Sequence, residues 1–176
     1  MGLDTRAPLT HLDLKVRIID YLRESHRVRV IETDLEQLSP QFAGLHHFTL
    51  KNGKQLYLSQ ALNIKDQIFV LCRELGYQKL KANNRAPYSL SFQIDSFDQL
   101  FQHYSASYFA GALLMPENEI KVAISQFMKT REWSAHNFFA FSRRFPVTLE
   151  NLFHRMTQIL PAAFNVKNLF FLRYEF

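Results

Sequence analysis

"FVLCRELGYQKL", residues 69–80, decides how the rest of this chain is read. The apolar turn Ile68-Phe69-Val70-Leu71 leads into it, and the spacing predicts a helix over about 61–81. Into that apolar helix the sequence sets Arg73, Glu74 and Tyr77. Arg73 and Tyr77 are four apart and share a helix face, with Glu74 adjacent to it. A carboxylate and a guanidinium in an otherwise apolar helix need a reason, because an unpaired buried charge loses its solvation.

Working outward, Thr10 followed by Asp13 marks a helix start, and Leu12, Val16, Ile19 and Leu22 recur at helical spacing to about Ser25. "RVRVIET" alternates as a strand does. "SPQFAG" breaks the chain. In "LHHFTLKNGKQLYL", Asn52-Gly53 between alternating runs predicts a hairpin, since a type I′ turn needs positive φ at both central residues. Beyond the central helix, "NNRAPYS" is a break. Ser96 with Gln99 forms a capping box for a helix to about Leu114. Met115-Pro116 ends that helix and starts another, with Pro116 at its first position and Glu117 and Glu119 in its first turn. Ser134 caps a helix to about Phe145. Thr148 caps the next, stapled by Val147 and Leu152 and ended by Pro161. "NLFFLRYEF" reads as a last strand. A helix, strands and then mainly helices predict an α+β fold: one domain over 1–176, a small antiparallel sheet with a hairpin packed on several helices. Because Phe176 falls inside an apolar strand with no turn after it, the chain reads as a piece of a longer protein.

Composition sets the outer limits. Hydrophobic residues are 47%, with 17 Phe among 176 residues, so a sizeable core can form without disulfides. The single cysteine, Cys72, excludes a disulfide framework and points to a reducing cytoplasm. The start, GLDTRAPLTHLDLK, is polar, and no apolar run approaches the roughly 20 residues of a membrane helix. Net charge is +5, with basic residues scattered rather than clustered, so charge alone does not indicate DNA binding. His46 and His47 on one strand point to opposite faces and cannot readily share an ion. Cys72 beside Arg73 has no base partner. Phe127, Trp133, Phe138, Phe139 and Phe141 lie at helical spacing, as core or dimer interface.

The chemistry lies in two motifs. Zinc-peptidase helices carry His-Glu-x-x-His, in which two His face the metal and the Glu activates its water. The five corresponding residues here are Arg73, Glu74, Leu75, Gly76 and Tyr77. Downstream, "HYSASYFAGALLMP", residues 103–116, supplies Phe109, Ala110, Leu113, Leu114 and Pro116. In this order and separation, and with the hairpin before them, the motifs resemble the ImmA/IrrE metallopeptidase-like family over roughly residues 11–130. The resemblance implies a zincin-like fold. It also implies that the zinc-ligand positions fall on Arg73, Tyr77 and His103, and that Glu74 is the relic of the general base. Arg has no lone pair to give a metal and a neutral Tyr is a poor ligand. The expectation is therefore a pseudoenzyme with no metal and no cofactor. The Arg-Glu-Leu-Gly form and the ending "LPAAFNVKNLFFLRY" resemble the XRE-family regulators of short-chain fatty-acid metabolism, whose peptidase-like part is a sensor. That branch implies a cytoplasmic homodimer that meets DNA through a helix-turn-helix upstream of this chain. It implies a small anionic ligand such as a short-chain acyl-CoA, held by Arg73, Glu74, Tyr77 and His103, and no membrane. Arg73 is expected to fill the zinc space and to pair with Glu74. The alternatives are a working metal-dependent hydrolase with another ligand set, or a pure dimerisation module.

Overall fold

Thr10 opens the first helix as its spacing to Asp13 predicts. Its hydroxyl accepts from the Asp13 amide at 3.1 Å and the Asp13 carboxylate accepts from the Thr10 amide at 3.0 Å, at the head of α1 (His11–His26). The structure, a computed structural model, describes residues 9–50, 53–82, 85, 95–130, 132–170 and 172. Arg27 then turns left-handed, with φ 55°, so β1 begins at Arg29 rather than Arg27 and runs to Thr33. The break at "SPQFAG" holds short helical turns: α2 (Leu35–Leu38), capped by Asp34, and a 3-10 turn over Pro40–Phe42, capped by Ser39. The hairpin follows as β2 (His47–Leu50) and β3 (Gln55–Ser59). Gly53 supplies the positive φ of its turn, 78°, while Asn52 lies outside the described residues.

The fold is α+β, but the sheet is mixed rather than antiparallel. Its order is β1-β3-β2, with β2 antiparallel and β1 parallel to β3. The excursion through α2 reverses the chain before β2, so the hairpin returns β3 in the direction of β1 and places it in the middle. Alternation along a strand reports which face is buried, not which neighbour it takes.

The helices that follow are α3 (Ile64–Lys79), α4 (Phe97–Leu114), α5 (Glu117–Met128), α6 (Ala135–Ser142) and α7 (Leu149–Phe164). Asn63 caps α3, Ser96 caps α4 and Ser134 caps α6 with side-chain acceptors. Pro116 stands just before α5 rather than at its first position. Pro161 does not end α7 but lies in its last turn, where the missing N–H removes only one bond. The left-handed Asn165 closes that helix by donating its amide to the Leu160 carbonyl. Of the expected last strand, residues 168–170 and 172 are not strand, and the rest lies outside the described residues, as does most of "NNRAPYS".

The core is continuous from sheet to helices, through Leu22, Leu56, Leu58, Ile68, Leu71, Ile120 and Leu152. Phe127, Phe138 and Phe141 pack against one another in that core, whereas Trp133 and Phe139 are exposed. Gly76 lets α4 lie against α3, since a Cβ there would stand 2.9 Å from the Ala106 carbonyl oxygen. Among the described residues, no helix is long and apolar enough to cross a membrane.

Candidate functional site

The close approach at Gly76 and Ala106 fixes what else faces across the α3–α4 seam. One helical step from Gly76, Tyr77 reaches His103 on α4, with its hydroxyl 2.9 Å from His103 Nδ1. Burial above all raises the Tyr77 pKa, so the phenol keeps its proton and donates. His103 accepts as a neutral ring, because burial first and the Arg73 charge second push its pKa down to about 4. The motif-based expectation that His103 approaches the Arg73–Tyr77 face is met in this contact.

Arg73 points toward the sheet. Its Nη2 stands 3.2 Å from Nε2 and 3.4 Å from Nδ1 of His47 on β2. A guanidinium can only donate, so His47 accepts and is neutral. Burial, then the Arg73 charge, holds the His47 pKa well below the usual imidazole range. The neighbouring His46 is exposed, but it precedes β2 rather than lying on the strand with His47 as expected. What sequence reading missed is that the inward His would be the neighbour of Arg73.

Glu74 is arranged differently from expectation. Its carboxylate is 3% exposed, and its cation is Arg85, not Arg73. Arg85 Nη1 donates to both carboxylate oxygens, at 2.9 and 2.8 Å, and Gln78 Nε2 donates to Oε1 at 2.7 Å. Successive helix residues diverge, so Arg73 and Glu74 cannot easily meet side chain to side chain. Burial is the largest influence on Glu74 and raises its pKa against the opposing pull of Arg85. Arg85 lies across the Tyr77 ring, 4.9 Å from its centre, and fits under the hairpin only because residue 53 has no side chain. A Cβ on Gly53 would fall 1.5 Å from Arg85 Nη2.

A cavity of about 530 Å³ opens between α3, α4 and α7, with Phe69, Arg73, His103, Tyr104, Tyr108 and Arg155 in its wall. Of the four residues predicted for a ligand, Arg73 and His103 line this space, and Glu74 and Tyr77 do not. Arg155, 3% exposed, was not anticipated. It donates from Nε to the Met115 carbonyl at 3.3 Å and from Nη1 to Gln158 Oε1 at 2.9 Å, over the Tyr108 ring. The sequence signal exists: Arg155 falls on the buried stripe of α7, between Leu152 and Ile159. Among the described residues, no group of three or more His, Cys, Asp or Glu is placed to hold a metal ion.

The comparisons with known proteins come to bear on this geometry. The model of the peptidase M78 IrrE N-terminal-like domain matches residues 23–157. A solved Mycobacterium tuberculosis transcriptional regulator is similar in structure, with TM-score 0.58 and 21% identity over 82% of this chain and 41% of that one. At that identity the likeness concerns the fold, and this chain spans about two-fifths of that regulator's length. No curated protein matches the chain in sequence.

Proposed function

This chain belongs to the IrrE N-terminal-like domain family, and on that premise we propose that it is the non-catalytic sensor and regulatory domain of a bacterial transcriptional regulator. In this reading it binds a small anionic metabolite, such as a short-chain acyl-CoA. Membership of a peptidase-like family together with the fold of a transcriptional regulator fits a regulatory role.

The observation that carries the proposal is Arg73. Its guanidinium stands in the wall of the cavity beside two neutral imidazoles, and no carboxylate lies within 4 Å of it among the described residues. A cation kept in such a place favours an anion from outside. The residues at the zinc positions do not fit zinc. Arg73 brings a positive charge and no lone pair, the Tyr77 hydroxyl is engaged with His103, and His103 Nδ1 is taken by that contact. Glu74 has both oxygens held by Arg85 and one also by Gln78, so it is poorly placed to take a proton from water. Because α3, α4 and α7 meet at the cavity, an occupant that binds one packing of these helices better than another shifts the balance between them.

The full regulator in this proposal is a cytoplasmic homodimer, reading DNA through a helix-turn-helix outside this chain. Exposed Trp133 and Phe139 near α6 offer apolar surface for the pairing. The test is metal analysis of the purified protein combined with thermal melting against short organic acids and their CoA thioesters. A saturable rise in Tm that Arg73→Gln removes, with the unliganded Tm unchanged, is the expected result. Stoichiometric zinc or manganese with peptide hydrolysis would overturn the reading in favour of a working hydrolase. No response to any acid would favour a pure dimerisation module.

A further inference from the structure

We propose that the cavity between α3, α4 and α7 takes a ligand with two separated anionic groups, a small dicarboxylate, one end on Arg73 and the other on Arg155. This rests on the reading of the cavity as a ligand site and adds its chemical class and second anchor. Two guanidiniums on different helices face one space of about 530 Å³, within the usual range of small-molecule sites. Neither has a carboxylate within 4 Å among the described residues, although a buried charge is costly unless paired. Arg155 is the more demanding of the two, since it is 3% exposed and hydrogen-bonds to neutral oxygens of Met115 and Gln158.

The acidic groups nearby do not fill this role. Glu150 lines the same cavity, but its carboxylate reaches His154 at 3.9 Å. Glu117 feels the Arg155 charge only as the weakest influence on it, after its contact with Lys121. Beside the two cations the lining includes the apolar and aromatic side chains of Phe69, Leu100, Tyr104 and Tyr108. A monocarboxylate can satisfy one guanidinium and leave the other unmatched. A dicarboxylate of matching length satisfies both, each by the planar fork that suits Arg, and lays its methylenes on the aromatic wall.

The experiment is titration calorimetry of the whole chain with linear dicarboxylates from malonate to suberate, each beside the monocarboxylate of equal length, with sulfate as a plain anion. One dicarboxylate should bind at least about tenfold tighter than its monocarboxylate partner. Arg155→Gln should abolish that preference, bringing the best dicarboxylate down to the affinity of its monocarboxylate partner in the same variant. The wild-type length series stands by itself should that variant fail to fold. Monocarboxylates bound through Arg73 with no dicarboxylate preference at any length would overturn the second anchor and leave the sensor reading intact. Equal binding of sulfate and dicarboxylates would also overturn it. No binding of any acid would overturn both.

Discussion

Removing Arg85 should unfold this domain far more readily than removing Arg73. The Arg85 and Glu74 side chains are 9% and 3% exposed, and Arg85 Nη1 touches both carboxylate oxygens. Deleting one partner of such a pair costs roughly 3–5 kcal/mol, because the other is left charged and dry. Here Gln78 still donates to Oε1, which puts Arg85→Ala near the lower end, about 3 kcal/mol. For a chain of this size that lowers Tm by about 6–12 °C. The loss should depend on pH with a definite sign. A carboxyl whose folded pKa is raised binds its proton more tightly folded than unfolded, so stability falls as pH rises through the window above the unfolded value of 4.5. Without Arg85 that fall steepens, and acidifying toward pH 5 should restore much of the lost stability. Glu74→Gln in the Arg85→Ala background should do the same at pH 7.5. Gly53→Ala is an independent route to the damage, since its Cβ would displace Arg85, and its effect should shrink once Arg85 is gone. Urea unfolding of the variants at pH 7.5 and 5 decides the matter. A loss under about 1 kcal/mol for Arg85→Ala, or a loss unchanged at pH 5, would refute the pairing as the support of Glu74.

Other outcomes follow from the same geometry. His103 is held neutral with its pKa near 4 against an ordinary 6.5, so its share of stability is full above about pH 6.5 and is lost as pH falls through about 4. His103→Gln should flatten that part of the acid limb in equilibrium unfolding. Gly76→Ala should be about 1 kcal/mol less stable, as overpacking of about 2 kcal/mol against the Ala106 backbone outweighs the roughly 1 kcal/mol of helix propensity gained; a more stable variant in thermal melts would contradict the close approach. Arg73→Ala should change unfolding free energy by less than about 1 kcal/mol, because Glu74 does not depend on it.

What the sequence made legible is what local pattern encodes. Thr10–Asp13, Ser96–Gln99 and Asn52-Gly53 are short-range signals, and the helix starts and the hairpin follow from them. The two motifs placed Tyr77 and His103 correctly because each motif fixes a helix face and their separation fixes the crossing. Arg85 was not legible. It sits after α3 in a stretch without periodicity, and its contact with Glu74 depends on its place beside Gly53, far from it in sequence. Arg155 left a trace, a charge on an apolar stripe, but its place in the cavity depends on α7 docking on α4. The parallel pairing of β1 was invisible for the same reason: closure over distance writes no local pattern. Pro161 misled because a rule for helix interiors was applied to a last turn.

The position of β3 in the middle of the sheet sets an order of events during folding. Among the described residues it is the last of three strands, yet Val30 and Thr49 both pair with Leu56 on it. The β2–β3 hairpin closes through a short turn and can form within microseconds. Strand β1 must wait for that hairpin, since Arg29 finds its partner only at Gln55, across the whole α2 excursion. Loop-closure entropy makes that step the slower one. The hairpin is thus suited to act as the nucleus and β1 as the late arrival, so that damage in β2 or β3 slows folding while damage in β1 mainly hastens unfolding.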